Sequence, residues 1–363
     1  MLISEIIDYL EQLAPPSLQE SYDNSGLLIG NPEAEVAKAL VCLDVTEDII
    51  EEAVEQGCGL VIAHHPLIFS GIKRLTGKNY VERTVMAAIK SDVAVYALHT
   101  NLDNVQTGVN RMIGEKLGIE NMRILSPKAS ILNKLVTFVP ADHTDGVLSA
   151  MFEAGAGEIG NYDECSFRIN GSGTFRAGDD ADPYVGEKGA RHSENEDRVE
   201  VILPEYRLKA VLSAMLDAHP YEEVAYDIYP LKNSWANVGS GMVGQLENPV
   251  YTMDFLKTVK ETFGGVIRHT SLVKDQLQKI AWCGGSGSFL LQAARAAGAD
   301  LYLTSDFKYH QFFDADKRII IADIGHYENE QFTIPLIARL LREKFPSFAV
   351  LLTAIETNPV NYF

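Results

Sequence analysis

Cysteine is scarce in this 363-residue chain: Cys42, Cys58, Cys165 and Cys283 are the four, and no two of them form a Cys-x-x-Cys pair. A cysteine-rich zinc site is therefore excluded, and a chain of this length folds without disulfide staples, so the four read as free thiols. Long apolar runs are missing as well. Nothing approaches the roughly 20 consecutive apolar residues of a membrane span, and the first ten residues carry Glu5 and Asp8 where a secretory leader places Lys or Arg. The expectation is a cytoplasmic protein with no membrane partner. Positive charge is the third shortage. Fifty Asp and Glu face 31 Lys and Arg, a net charge of −19, which argues against nucleic acid as a partner. A small anionic ligand stays open, because a bound metal charge can dominate its own cavity.

What remains, with 46% hydrophobic and 22% charged residues, is ordinary globular composition, and the length predicts two or three domains. Self-similarity shows the architecture. Ala39-Leu-Val-Cys-Leu-Asp44, a helical stretch over 47–56, and Gly57-Cys-Gly-Leu-Val-Ile-Ala-His-His65 make one pattern. Lys279-Ile-Ala-Trp-Cys-Gly284, a helical stretch over 288–297, and Gly298-Ala-Asp-Leu-Tyr-Leu-Thr-Ser-Asp306 make it again. Each is apolar strand, turn, amphipathic helix, Gly stop and second apolar strand, the alternation of a parallel α/β sheet. A third strand follows in each, 93–98 and 318–324, and each then delivers a His with an acid four residues on: His99 with Asp103, and His326 with Glu330. Ligands gather beyond the carboxyl ends of parallel strands, so the pattern predicts two α/β/α halves facing one another across a cleft. Whether the halves share ancestry is open, since any two α/β segments look alike at this level.

A second repeat lies between them. Lys134-Leu-Val-Thr-Phe-Val-Pro140 with Val147-Leu-Ser-Ala-Met151 recurs as Arg198-Val-Glu-Val-Ile-Leu-Pro204 with Val211-Leu-Ser-Ala-Met215, 64 residues later at both the proline and the five-residue identity. Further strand-like sequence follows each copy, at 166–175 and 224–230. Two such units predict an inserted ferredoxin-like α+β domain. The expected organisation is 1–125 as one half of the outer domain, 126–235 as the insert and 236–363 as the other half. The insert holds 19 acids against 10 bases. Its stretch 178–197 is so polar and acidic that a mobile, solvated loop is expected there.

Chemistry is concentrated at strand ends. Neighbours in a strand point to opposite faces, so His64 and His65 share a site only where the backbone has begun to turn, and Pro66 marks that turn. His326 and Glu330 have the spacing that aligns two side chains on one helical face, as do His99 and Asp103. Imidazole with carboxylate and no thiolate suits zinc, iron or manganese. Two ions need a bridge, which a carboxylate provides with one oxygen for each. Five ligands shared by two ions leave positions open to water, the mark of a catalytic site, and a pair of cations activates such water as a nucleophile.

Other residues give weaker signals. Tyr22-Asp-Asn-Ser-Gly-Leu27, with Asn24, lines the cleft or is merely a turn. Gly284-Gly-Ser-Gly-Ser288, with Gly285 and Ser286, cradles a phosphate on backbone amides or is a tight strand-to-helix turn; it lacks a Walker lysine. Asp44 is a helix cap or a site residue. Asp306, at the position that His65 holds in the first copy, and nearby His310 are candidates for acid, base or outer-shell roles, as is His99. His143, His192 and His269 look solitary and receive no role.

With Asp23-Asn-Ser-Gly-Leu27, His64-His65-Pro66, His99-Thr-Asn-Leu-Asp103 and Gly325-His326 with Glu330 in place, the chain resembles the GTP cyclohydrolase I type 2 homologues, also called Nif-three-like proteins. The resemblance covers 1–125 and 236–363. It implies two divalent metal ions, zinc first and iron or manganese next, held by His64, His65, Asp103, His326 and Glu330, with Glu330 as the bridge and His99 beside the site but outside the ligand set. The insert is similar to the PII-like and CutA-like domain of longer bacterial members, with His219-Pro-Tyr-Glu-Glu223 as its recognisable stretch. A toroidal homohexamer is implied too, its metal cavities facing an internal space and its insert domains closing the ends. The family name implies GTP cyclohydrolase chemistry, yet this chain lacks the cysteine ligand expected of the zinc site in the established type I enzyme.

Two functions are expected in competition. One is a metal-dependent hydrolase of a nucleotide or related small molecule, either cyclohydrolase-like or acting on a phosphoester. The other is a non-enzymatic metal-handling or regulatory protein whose insert senses a ligand or partner.

Overall fold

Apolar runs of four or five residues, separated by amphipathic helices, build parallel strands buried on both faces. The computed structural model, which describes residues 1–363, contains this arrangement twice. Along the chain come α1 (Ile3–Leu13), β1 (Gly26–Ile29), β2 (Lys38–Cys42), α2 (Glu47–Glu55), β3 (Leu60–Ala63), α3 (Tyr80–Lys90), β4 (Ala94–Ala97), α4 (Thr100–Asn104), α5 (Val109–Lys116) and β5 (Glu120–Ala129). Next are β6 (Leu132–Pro140), α6 (Thr144–Glu153), β7 (Ser166–Arg176), β8 (Arg191–Pro204), α7 (Leu208–Ala218), β9 (Tyr226–Leu231) and β10 (Ser234–Tyr251). The last are α8 (Thr252–Phe263), β11 (Arg268–His269), β12 (Gln276–Ser286), α9 (Leu291–Ala296), β13 (Leu301–Ser305), β14 (Ile320–Asp323), α10 (His326–Glu330), α11 (Thr333–Lys344) and β15 (Ala349–Leu352). No helix is long and apolar enough to cross a membrane.

Two compact units result, Met1–Pro127 with Asn237–Phe363, and Lys128–Ala236. The first unit holds two sheets. In one, β2, β3 and β4 run parallel and β1 closes the edge antiparallel to β4. In the other, β12, β13 and β14 run parallel and β11 closes the edge antiparallel to β14. Local chemistry explains the helices between them. The Thr46 hydroxyl accepts the Ile49 amide to cap α2, Glu47 and Asp48 sit in its first turn, and Gly57 ends it with φ +68. Its inner face buries Ile49, Ile50 and Ala53 against β2 and β3, whose own residues Leu40, Val41, Leu60 and Val61 are fully buried.

Neither sheet of the first unit is built from a single run of chain. β5, at the end of 1–125, lies beside β10 in the second sheet, whereas β15, at the end of 236–363, pairs parallel with β2 in the first. A short apolar strand carries no mark of which sheet will take it, because pairing is decided by the edge left open.

The second unit is a βαββαβ succession with strand order β7-β8-β6-β9, all neighbours antiparallel, and with α6 and α7 packed together. That is the ferredoxin-like arrangement. Its core joins Leu135, Val139, Val199 and Val201 of the sheet to Val147, Met151, Val211 and Met215 of the helices. The expected loop over 178–197 is shorter than the polarity suggested, because β8 begins at Arg191 and pairs residue by residue with β7. The last two of its acids are buried with partners. Asp197 accepts from the Thr144 hydroxyl (3.0 Å) and the Asn170 amide (3.0 Å), and Glu196 from the Tyr221 hydroxyl (2.8 Å).

Asn110, fully buried on α5, joins the two sheets' elements. Its amide donates to the Asp103 carbonyl (3.0 Å), its side-chain oxygen accepts the Gly284 amide (2.9 Å), and its backbone carbonyl accepts the indole N–H of buried Trp282 (2.7 Å). Asn110→Leu strands one carbonyl and one N–H away from water. The expected loss is about 2–4 kcal/mol by denaturant unfolding, and a loss below about 1 kcal/mol would show that the join rests on other contacts.

Candidate metal centre

Three strands stop where chemistry begins. β3 ends at Ala63, so His64 and His65 lie on turning backbone, as the adjacent pair requires. β4 ends at Ala97, and His99 opens α4, with Asp103 one turn on. β14 ends at Asp323, Gly325 turns with φ +88, and α10 places His326 above Glu330.

Glu330, 2% exposed, stands at the middle of the cluster. Its Oε1 faces His64 Nε2 at 3.6 Å; its Oε2 lies 2.9 Å from His65 Nε2 and 3.0 Å from His326 Nε2. Asp103 Oδ1 is 3.7 Å from His64 Nε2, and His65 and His326 bring their Nε2 atoms to 3.3 Å. The ligand atoms of His64, His65 and Glu330 all fall within 4.8 Å of one another, a group that could hold a metal ion.

Each imidazole is held from behind. Nδ1 of His64 meets the Leu98 carbonyl (2.8 Å), that of His65 meets Asp44 (2.7 Å) and that of His326 meets Asp306 (2.7 Å). An acceptor on Nδ1 puts the proton there and turns the Nε2 lone pair inward, the usual arrangement behind metal-bound histidines. The inward atoms of one flank have nothing to bind. His64 Nε2 and Asp103 Oδ1 are buried without a hydrogen-bond partner, a costly state that a cation between them removes.

The protonation pattern agrees. Burial, followed by the neighbouring Glu330, pushes Asp103 up to about 8. Burial opposes charge on His65 and His326, but the carboxylates win: Asp44 and Glu330 carry His65 up to about 9, and Glu330 and Asp306 carry His326 up to about 11. Burial would likewise raise Glu330, yet His326 and His64 hold it well below the usual carboxylate range. Protons bridge lone pairs here that a divalent cation would otherwise bridge.

A second pair flanks the cluster. His99 Nδ1 meets Asp23 Oδ1 at 2.6 Å, while Asp23 Oδ2 accepts the Thr100 amide (3.0 Å) and the Thr100 hydroxyl. The His99 ring stands 5.4 Å from both His64 and His65, centroid to centroid. Burial raises Asp23, but the His99 and Thr100 hydrogen bonds outweigh it and hold the carboxyl near 2. His65, His99, Asp103, His326 and Glu330 border a cavity of about 1320 Å³ lined by residues of the first compact unit.

The sequence profile of the family described as Duf34/NIF3 (NGG1p interacting factor 3) matches residues 1–359. A protein of Halalkalibacterium halodurans named GTP cyclohydrolase 1 type 2 homolog is 37% identical over 98% of each chain. This chain belongs to the Duf34/NIF3 family. A Bacillus subtilis protein of the same name is 36% identical, covering 99% of this chain and 98% of its own. Among solved structures, a Bacillus cereus protein described as related to NIF3 superposes with a TM-score of 0.86 at 35% identity, over 100% of this chain and 99% of its own.

Against the Duf34/NIF3 frame, His64, His65, Asp103, His326 and Glu330 come together, with Asp44, Asp306 and His99 directly behind or beside them. Asn24 does not join them. Its side chain donates to the Ile68 carbonyl (2.6 Å), and it does not line the cavity. His310 is a second correction: a 3-10 turn over Tyr309–Ala315 directs it against Tyr309 and Phe313, outside the cavity lining. Gly285 and Ser286 do line it, but as a tight turn. Gly285 has φ +61, and a Cβ there would sit 2.4 Å from Glu330 Oε1. Sequence reading missed the partnership of Asp23 with His99, which no local spacing signals, and also Thr357, whose hydroxyl donates to Asp44 at 2.9 Å.

Gly285→Ala incurs the left-handed backbone cost and also displaces Glu330, whereas Gly298→Ala, with φ +72 and open space around it, incurs only the first. Unfolding should show a loss for Gly285→Ala that exceeds the control by about 1–3 kcal/mol; equal losses would mean that Glu330 yields freely. Asp23 gives a pH test. A carboxyl held down to about 2 stabilises the fold fully above its unfolded pKa of about 4, and that stability fades as pH falls from about 4 through about 2. The stability gap between the parent and Asp23→Asn should therefore shrink by about 2 kcal/mol from pH 6 to pH 2, and a constant gap would contradict the assignment.

Proposed function

We propose that the cluster is a two-metal centre and that the protein is a metal-dependent hydrolase of a nucleotide or related small molecule. The observation that carries this is the disposition of Glu330, whose two carboxylate oxygens face different imidazoles, Oε1 toward His64 and Oε2 toward His65 and His326. On this reading His64, His65, Asp103, His326 and Glu330 would hold the cations, with the Glu330 carboxylate shared between them. Nitrogen and oxygen donors without sulfur suit zinc, iron or manganese. Cations held in this way supply Lewis-acid polarisation of a substrate oxygen and make water more acidic.

The chain's own groups supply the rest. Asp44 and Asp306 keep the Nδ1 protons of His65 and His326 in place, so both Nε2 atoms face inward. His99, fixed at Nδ1 by Asp23, presents Nε2 for moving a proton at the cavity wall. The name carried by the relatives supports a nucleotide-like substrate. The family resemblance supports a homohexamer, to be checked by light scattering.

A separate compact unit, Lys128–Ala236, favours a second reading in which the insert senses a ligand and the metal centre serves storage or regulation. Elemental analysis of protein purified without a metal-binding tag tests the centre. The parent should carry close to two divalent ions, Glu330→Gln and His64→Ala should lose most of them, and His310→Ala should keep them. A metal-free parent overturns the centre. Turnover of a panel of nucleotides, nucleosides, free bases and phosphoesters by the loaded parent, lost in His99→Ala with metal retained, favours the hydrolase; no turnover across the panel favours the second reading.

A further inference from the structure

We propose that the cavity takes a planar heterocycle of little or no charge and discriminates against nucleoside triphosphates, a substrate class that rests on the two-metal reading above. Charge is the first argument. Asp23, Asp44, Asp103, Asp306 and Glu330 surround the centre, five carboxylates against the four positive charges that two divalent ions bring. Two divalent ions would thus already be neutralised by the protein, and the lining adds Asp48 and Glu328.

Nothing else on the wall compensates. Arg268 is the only Lys or Arg side chain lining the cavity. It is already committed: its guanidinium bonds the Asp323 carboxylate and the Phe307 carbonyl (3.2 Å) and lies over the Phe312 ring. In the glycine-rich turn the Gly284 amide is taken by Asn110 at 2.9 Å, and α9 beyond it has only six residues. A polyphosphate chain would meet like charge with no uncommitted Lys or Arg on the wall to pair with.

What the wall does offer is aromatic surface. Tyr22, Phe69 and Phe289 line the cavity and stay 67%, 54% and 66% exposed. The Phe69 ring stands edge-on to His99, with centroids 5.7 Å apart, beside the proton-transfer group. Rings at a cavity wall next to buried polar groups bind flat heterocycles by stacking, whatever the heterocycle's exact substituents.

The test is calorimetric titration of zinc-reconstituted protein with guanosine and with magnesium GTP, metal content being measured before and after. Guanosine should bind at least tenfold more tightly than GTP at low salt, and the gap should narrow as ionic strength rises and screening weakens the repulsion. Phe69→Ala or Phe289→Ala should weaken guanosine about tenfold while the metal content stays at the parent's level. GTP binding as tight as guanosine, ring variants without effect, or neither compound binding to metal-loaded protein would each overturn the substrate class. Loss of the metals themselves in the parent would instead overturn the two-metal reading, so the two failures are separable.

Discussion

Glu330 is a carboxylate with almost no access to water, and the first compact unit is organised around keeping it there. A buried charge without partners is intolerable, and its partners come from both ends of the sequence: His64 and His65 from behind β3, His326 from the preceding turn of α10. Gly285 has no side chain because Glu330 occupies that space. Asn110 ties the helix carrying Asp103 to the strand carrying Gly285, which keeps the two flanks of the carboxylate in register. Removing the carboxylate would leave three imidazoles without their common counter-charge.

Local chemistry was legible where a few neighbouring residues carried the whole message. His64-His65-Pro66 declares itself because an adjacent pair at a strand end has only one way to converge, and His326 with Glu330 because a helical turn enforces their approach. The βαβ repeat and the 64-residue repeat of the insert were readable for the same reason: period, glycine stops and proline turns act within ten residues. Distant pairings were not readable. Asp23 meets His99 across 76 residues, and nothing around either announces the other. Asn24, one position on and the candidate of that stretch, donates its amide to a backbone carbonyl instead.

Polarity misled in one place. His192-Ser-Glu-Asn-Glu-Asp197 has the composition of a solvated loop, but composition reports hydration and says little about backbone pairing. Polar residues satisfy a backbone ladder as well as apolar ones do, so β8 runs through this stretch and buries Glu196 and Asp197. His310 misled in the opposite direction, because proximity in sequence to Asp306 was taken as proximity in space, and a single 3-10 turn undid it.

The pairing of β15 with β2 sets Ala349 opposite Lys38 and Leu352 opposite Val41. During synthesis on a ribosome, β2 emerges with one edge bare and keeps it bare while some three hundred further residues are made. Such an edge is a template for any passing strand. The nascent chain therefore spends most of its translation as a client for protection, and the same late segment that delivers Glu330 also seals the sheet. Completion of the His64, His65 and Glu330 cluster and closure of the open sheet edge fall in one short interval of the protein's life.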